Sequence, residues 1–426
     1  MQEIVLHRIW ESQDFPINEL TTTTGEAIQV IKIGKPNPFS GPDFRHARIR
    51  IGDREWSGHV ELHVKASDWY LHGHQRDQAY DTVILHVVWE ANFEVRRRDG
   101  TLIPTLSLSE IVSRKALNKT DKSTSSGRNI RLACKGMLSS VPVNMVNSWR
   151  DELFWHRLNK KCVEIDLWGQ ASNFNWEQVL FKALLKGFGL NHNGKAFLSL
   201  ERALPFDVFR KLTHNLPALE SVFLGLCGLL SGEYSEDPYF LSLKKEYLYL
   251  STKYKLSADA CHTPVFFSLR PHNFPTIRLS QLAQLYHQLP NLFDRIRRAK
   301  SLPALKNLLN THASSYWNTH YTFGKSGTYE LKKLSNSFKD LLLLNAVFPV
   351  LRCYGEYIGK VVDIQIMQWA TELKAEQNSL IRTFKKEGIS SQNAFESQAL
   401  IHLHTHYCRK NKCLQCQWGT YILYGK

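Results

Sequence analysis

Residues 82–90 (TVILHVVWE) form a run that is almost wholly apolar and rich in β-branched side chains. Such a run fits a strand that is buried on both faces, as the central strands of mixed or parallel sheets are. The longest apolar runs of the chain, residues 222–230 and 341–351, are too short to cross a bilayer, which takes about 20 apolar residues. We therefore predict that the first ninety residues fold as a small α/β unit around this strand.

The other elements predicted for this unit follow from shorter patterns. Residues 44–51 and 55–65 read as strands separated by the turn Gly52-Asp53. The full predicted order is a helix at residues 3–11, strands at 27–34, 44–51 and 55–65, a weak helix within 67–80, and the strand at 82–90. The order is therefore helix, three strands, helix, strand.

The character of the chain changes after residues 118–131 (NKTDKSTSSGRNIR), which are rich in Ser, Thr and Lys and carry one apolar residue. Beyond this segment, helical stretches are predicted through residues 196–230, 278–298 and 328–385. We predict an α+β protein in four parts: an α/β domain at 1–115, a linker at 116–135, a mainly helical domain at 136–400, and a short Cys/His tail at 401–426.

Charge favours a polyanionic partner. The chain has 426 residues, with 54 Lys and Arg against 39 Asp and Glu, and a net charge of +15. Such a field attracts nucleic acid, and we expect DNA rather than RNA. The arginines predicted to contact it are Arg270, Arg278, Arg297 and Arg298.

The sequence also predicts a cytoplasmic protein. The N-terminus has no signal-peptide h-region, so export is not expected. Eight cysteines in a chain of this length do not resemble a disulfide framework. No membrane association is predicted.

One strand carries ionisable groups at alternate positions. His59, Glu61, His63 and Lys65 share one face because side chains alternate along a strand. The bland interpretation is a solvated face, which is common in antiparallel sheets. Asp43 precedes the neighbouring strand, however, and the turn at Gly52-Asp53 would bring it beside Glu61. Two converging carboxylates suit Mg²⁺ or Mn²⁺, which prefer oxygen ligands.

Here the pattern resembles the PD-(D/E)XK nuclease superfamily. Pro42-Asp43 matches its PD element, and Glu61-Leu62-His63 falls where its (D/E)-x-K element belongs. The resemblance implies that Asp43 and Glu61 bind metal and that position 63 acts beside the attacking water. It also implies that Glu3 or Glu11 supplies another acidic group from the helix.

The sequence departs from that superfamily at His63, where the motif has lysine. A neutral imidazole can orient or deprotonate water but lacks a fixed charge, and Lys65 lies on the same face as a partial substitute. The predicted function is a divalent-metal-dependent nuclease. Two alternatives stay open: a nucleic-acid-binding scaffold without catalysis, and a metal-dependent hydrolase built on the histidine cluster. The residues of that cluster are His59, Glu61, His63, His72 and His74; His86 is interpreted as a core histidine.

The C-terminal tail predicts a second metal site. Cys413 and Cys416 form a C-x-x-C pair, and Cys408 precedes them. A closed structural zinc site needs four ligands. His406 is the nearest fourth candidate, and the alternatives are His404 and a distant cysteine such as Cys134. Zinc is the expected metal, with an iron–sulfur cluster as the alternative.

At the scale of the whole chain, the sequence resembles an uncharacterised bacterial family, domain of unknown function 2851. The resemblance rests on six short segments. These are residues 41–44 (GPDF), 58–63 (GHVELH), 67–69 (SDW), 83–88 (VILHVV), 270–275 (RPHNFP) and 413–416 (CLQC). The resemblance implies that nearly the whole chain belongs to one family, for which no activity is established.

Overall fold

The computed structural model describes residues 3–13, 15–16, 20–37, 40–109, 111, 132–232, 234 and 236–425. The chain divides into two compact units, residues 1–129 and 130–426. Most of the predicted linker, residues 116–131, lies outside the described residues.

The first unit is built on one mixed sheet of seven strands. Helix α1 (Glu3–Ser12) comes first, and α2 (Asp68–Leu71) lies between two strands. The strands are β1 (Leu20–Thr21), β2 (Ala27–Lys32), β3 (Lys35–Pro36), β4 (Phe44–Ile51), β5 (Arg54–Lys65), β6 (Val83–Glu90) and β7 (Thr105–Ser107). Apart from the short strands β1, β3 and β7, this is the predicted order of helix, three strands, helix and strand.

Strand pairing follows from the lengths of the connections. A two-residue turn joins β4 to β5, so these strands pair antiparallel, with Ile51 opposite Arg54. The longer connection through α2 lets β6 pair parallel to β5, and β7 pairs parallel to β6. The sheet order is β1-β2-β4-β5-β6-β7, with β3 on β4. Glu61 therefore lies opposite His86 in the parallel register.

Two apolar layers bury the central strands. On one face, Val60 and Leu62 of β5 pack with Leu6 and Trp10 of α1. On the other face, Trp69 belongs to a smaller cluster with residues of β6. The six residues of β6 from Val83 to Val88 are all buried, which confirms the prediction of a doubly covered strand.

Gly58 permits the close approach of β5 to β6. A Cβ at this position would lie 2.4 Å from Cγ2 of Ile84 and 2.5 Å from the carbonyl oxygen of Thr82. Both contacts are shorter than non-bonded atoms tolerate. The absence of a side chain at Gly58 thus lets the parallel pair begin just before the functional residues of β5.

The second unit is mainly helical and has one large apolar core. Its longest helix, α3 (Val143–Ala171), packs against α16 (Ala394–His406). Several helices begin with an Asn, Asp or Ser side chain that accepts a bond from a free N–H, for example Asn175 from Gln178 at 3.2 Å. The remaining helices are α4 (Trp176–Phe188), α5 (Leu190–Ala203), α6 (Phe206–Leu212), α7 (Leu216–Leu226), α8 (Pro238–Tyr254), α9 (Pro275–Gln288), α10 (Leu292–Arg298), α11 (Leu302–Leu308), α12 (Asn336–Leu342), α13 (Phe348–Tyr357), α14 (Asp363–Glu372), α15 (Ser379–Lys386) and α17 (Gln417–Tyr424).

The predicted helix at residues 328–385 begins later than expected. Residues 327–335 are irregular and not helical, and they follow a small hairpin of β8 (His320–Thr322) and β9 (Lys325–Ser326). Backbone groups of this segment bond elsewhere: the N–H of Leu334 donates to the carbonyl of Thr311 at 3.0 Å. Pairing with a distant segment therefore replaces the bonds that a helix would make within itself.

The predicted tail is continuous with the helical unit, because α16 begins before residue 401 and ends at His406. Within the described residues, no helix combines the length and apolar character needed to cross a membrane.

Candidate metal centre

Asp43 and Glu61 meet at the start of β4, as the sequence predicted. The backbone N–H of Asp43 donates to Oε2 of Glu61 at 2.9 Å. The Asp43 carboxylate accepts a bond from the N–H of Leu62 at 3.0 Å. The antiparallel β4–β5 pair thus fixes both carboxyl groups through the backbone.

The second carboxylate oxygen of Glu61 faces histidines. Its Oε1 lies 3.3 Å from Nε2 of His74 and 3.8 Å from Nε2 of His63. Nε2 of His63 is also 3.1 Å from Nδ1 of His72. One ligand atom from each of the three histidines can be chosen so that all lie within 4.8 Å of one another. We call Glu61, His63, His72 and His74 the β5 cluster.

The connection between β5 and β6 carries two of these histidines. Gly73, with φ of 75°, turns the chain between His72 and His74 in a conformation that side chains rarely adopt. The ring of Tyr80 stacks on His74 with centroids 3.8 Å apart. Trp69 packs edge-on against His74 at 5.3 Å. Aromatic packing therefore holds the His74 ring against Glu61.

His86 extends the cluster into the core. Its Nε2 lies 2.9 Å from Nδ1 of His63, and the residue is fully buried on β6. Its other nitrogen, Nδ1, is buried without a hydrogen-bond partner. The sequence interpreted His86 as a core histidine, and it is one, but it also contacts a member of the β5 cluster.

Burial sets the protonation of this cluster. It raises the pKa of Glu61 to about 9, with the charge of Asp43 as the next cause. It lowers the pKa of His63 to about 2, with the neighbouring His86, His74 and His72 adding to the effect. Buried neutral imidazoles offer lone pairs to a metal, and a buried carboxylate is best stabilised as an anion by a nearby cation.

The distances within the cluster fit a single ion. Ligand atoms held 2.0–2.1 Å from a tetrahedral metal lie about 3.3 Å from one another. The separations here are 3.1 Å for His63–His72, 3.3 Å for Glu61–His74 and 3.8 Å for Glu61–His63. Three pairs of ligand atoms are therefore spaced for one ion, and a donor set of imidazoles and a carboxylate fits it.

His7 was not among the predicted site residues. Its Nε2 lies 3.3 Å from Oδ2 of Asp43 and 3.9 Å from Oε1 of Glu3. Burial alone would lower the pKa of His7, but the hydrogen bond and charge of Asp43, with Glu3 and Glu61, raise it. Glu3 and His7 are four residues apart on α1, so the pair could have been found from helical spacing.

Two other predicted residues of the strand lie apart from the β5 cluster. His59 contacts His46 instead, whose N–H donates to Nδ1 of His59 at 3.3 Å. Lys65 is exposed at the end of β5, and its N–H donates to Asp68. His63, predicted to act beside the attacking water, is instead nearly enclosed at 1% exposure.

The arginines predicted to bind nucleic acid do not share one environment. Arg278 is buried, so it cannot form the exposed contact that was predicted for it. Its guanidinium lies 3.5 Å above the ring of Phe338 and donates to Gln281 at 2.8 Å. Arg270 is exposed, as are Arg297 and Arg298, which both pair with Asp294.

The positive charge is unevenly divided between the units. Residues 1–129 contain 17 Lys and Arg and 17 Asp and Glu. The whole excess of 15 positive charges therefore belongs to residues 130–426. Any electrostatic attraction of a polyanion acts mainly through the helical unit.

Comparison with known proteins gives one match. A family model described as "Protein of unknown function (DUF2851)" matches residues 3–379. Five of the six segments that suggested this resemblance lie within the match, and residues 413–416 lie beyond it. No curated protein and no solved structure matches the chain significantly.

Proposed function

The chain belongs to the DUF2851 family, whose description names no activity, and we propose from its own geometry that it is a metal-dependent hydrolase of phosphodiester bonds in nucleic acid. The observation that carries the proposal is the convergence of Glu61 with His63, His72 and His74. Structural zinc sites are mostly built from cysteine, whereas catalytic sites bind the ion through three histidine or carboxylate groups and leave the fourth position to water, and the β5 cluster offers groups of this second kind.

The ligand set favours a transition metal. Three of the four ligand atoms are imidazole nitrogens, which suit zinc or iron better than Mg²⁺. Mg²⁺ usually binds one or two carboxylates and keeps several waters. When bound, such an ion supplies a Lewis acid for a phosphoryl oxygen and lowers the pKa of a water molecule.

Asp43 and His7 have a different role in this proposal. Their side chains are 22% and 26% exposed, whereas that of Glu61 is 6% exposed. They therefore form the accessible rim of the site. A histidine oriented by a carboxylate can exchange a proton between substrate and solvent. We assign Asp43 to orienting His7 and His7 to proton transfer.

Two features support nucleic acid as the substrate. The first unit, in which the sequence resembles a nuclease, has α1, β2, β4, β5, α2 and β6 in the predicted order of helix, three strands, helix and strand. The helical unit carries the excess positive charge, with Arg270, Arg297 and Arg298 exposed on it. In the proposal, this unit binds the phosphate backbone and the first unit hydrolyses it. The eight free thiols agree with a cytoplasmic location.

The test is cleavage of end-labelled DNA and RNA oligonucleotides, single- and double-stranded, by the metal-stripped protein with Zn²⁺, Fe²⁺, Mn²⁺ or Mg²⁺ added. We expect turnover that Glu61→Gln and His72→Ala remove. The matched control is Glu55→Gln, an exposed carboxylate of β5 that pairs with Arg48. Equal cleavage by Glu61→Gln and the wild-type protein would overturn the proposal.

Two negative results lead to the alternatives. Salt-sensitive DNA binding without turnover, unchanged in Asp43→Ala, would indicate the non-catalytic scaffold. Metal retained at the β5 cluster, with neither binding nor cleavage of nucleic acid, would indicate a hydrolase of a small substrate.

A further inference from the structure

Four cysteines from two distant parts of the sequence line one cavity in the helical unit. The cavity has a volume of about 90 Å³, and its lining includes Cys134, Cys408, Cys413 and Cys416. All four are free thiols. The N–H of Cys416 donates to the carbonyl of Cys413 at 3.2 Å, so these two cysteines share one turn of the cavity wall.

The local backbone makes this arrangement possible. Asn411, with φ of 52°, reverses the chain between Cys408 and Cys413. Gly419 lies very close to the preceding turn, since a Cβ at this position would be 2.3 Å from the carbonyl oxygen of Cys413. Trp418 of α17 is buried, and its Nε1 donates to the carbonyl of Met145 on α3 at 3.3 Å. The tail is thus folded tightly against the helical unit.

His406 makes its contacts with other residues. Its ring stacks on His402 with centroids 4.2 Å apart, and its Nε2 lies 2.5 Å from Nζ of Lys160 on α3. It does not line the cavity of the four cysteines. His406, the predicted fourth ligand, therefore does not join the three tail cysteines in this cavity, whereas Cys134 does.

We propose that Cys134, Cys408, Cys413 and Cys416 bind a thiophilic metal centre through four thiolates. Zinc in a structural Cys₄ site and an iron–sulfur cluster share this ligand chemistry. The site joins the first described turn of the helical unit to its C-terminus. Most of the remaining wall is apolar, including Phe384, Leu403 and Trp418, and shields the centre from solvent.

The first experiment measures zinc, iron and acid-labile sulfide per chain, with an absorption spectrum, in protein purified anaerobically. The background carries Glu61→Gln and His72→Ala, so that metal at the β5 cluster does not contribute. We expect one zinc, or iron with sulfide and visible absorption. Cys134→Ser should remove that metal, and His406→Ala should retain it. The control is Cys261→Ser, a half-buried thiol outside the cavity that donates to Ser199.

A second measurement uses the unsubstituted chain and so does not depend on the folding of a variant. Native protein is alkylated with iodoacetamide before and after metal removal, and each cysteine is followed by mass spectrometry. With metal bound, the four thiols should react together at least about 10-fold more slowly than after metal removal, because coordination occupies the reactive thiolate. Unchanged alkylation of Cys134 on metal removal, or full metal retention by Cys134→Ser, would overturn the proposal. Loss of the metal in His406→Ala with retention in Cys134→Ser would assign the fourth ligand to His406 instead.

Discussion

The backbone N–H of Asp43 donates to the Glu61 carboxylate at 2.9 Å, and the Asp43 carboxylate accepts the N–H of Leu62 at 3.0 Å. Each acidic residue is therefore positioned by the strand that carries the other. This reciprocal contact predicts that the two side chains cannot be altered independently without disturbing the pairing of β4 with β5.

Replacement of Asp43 separates its catalytic role from its structural one. Asp43→Ala leaves the Leu62 N–H without its acceptor, which we expect to cost about 1–3 kcal/mol of unfolding free energy. Asp43→Asn keeps an acceptor oxygen and should cost less. Both should reduce cleavage by at least about 10-fold, because His7 loses its anionic partner. Urea unfolding and cleavage assays measure the two effects, and full activity of either variant would contradict the assigned role.

Replacement of His86 tests the support of the metal ligands. His86→Phe removes the partner of Nδ1 of His63 while keeping an aromatic ring on β6. Loss of such a partner typically reduces metal affinity by about 10–100-fold. A chelator competition titration measures the affinity. Ser107→Ala on β7, whose hydroxyl donates to the carbonyl of Trp89, is the control and should bind metal normally. Equal affinity in His86→Phe and wild type would remove His86 from the site.

Replacement of arginines separates structure from nucleic-acid binding. Arg278→Met removes buried bonds to Asn273 and Gln281, and we expect it to reduce the unfolding free energy by about 3 kcal/mol. The double variant Arg297→Ala/Arg298→Ala changes exposed side chains and should leave stability within about 0.5 kcal/mol. The double variant should instead weaken DNA binding and reduce its salt dependence. A stable Arg278→Met protein with weakened DNA binding would reverse these assignments.

Glu177 is expected to make the stability of the helical unit depend on pH. Burial raises its pKa to about 7, although it accepts the N–H of Phe293 at 2.9 Å. Between the ordinary pKa of 4.5 and about 7, the folded state keeps a proton that the unfolded state has released. The contribution of Glu177 to stability therefore falls as pH rises through this window and is constant above it.

The substitution Glu177→Gln should remove this fall in unfolding free energy with rising pH. Between pH 4.5 and pH 8, we expect the unfolding free energy of the variant to rise above that of the wild type by up to about 3 kcal/mol, with little difference at the acidic end. Denaturant unfolding at several pH values measures this difference. Glu372→Gln, an exposed carboxylate on α14, controls for the change in charge. Parallel stability curves for wild type and Glu177→Gln would contradict the prediction.

Local patterns were sufficient to predict much of the first unit. The apolar run containing His86 identified the central strand, and alternation along β5 placed Glu61 and His63 on one face. The meeting of Asp43 with Glu61 followed from a two-residue turn, which leaves little freedom in how the strands pair.

The rest of the site depends on contacts between residues that are distant in the sequence, and the spacing of residues along the chain does not predict such contacts. His7 reaches Asp43 because α1 packs against β5 of the sheet. Arg278 has the same charge as the exposed Arg297 and Arg298, but it is buried, with Phe338 packed over its guanidinium. Cys134 lies more than 270 positions before Cys408, so the fold of the helical unit decides that they are neighbours.

The placement of His72 and His74 on the connection between β5 and β6 has a consequence for how the protein forms. Parallel strands pair slowly because the connection must be ordered before the strands can gain their contacts. A metal ion that binds these histidines together with Glu61 and His63 would hold the middle of that connection against β5. Metal supply would then govern how long newly made chains expose the apolar strand β6, and hence how prone they are to aggregate during synthesis.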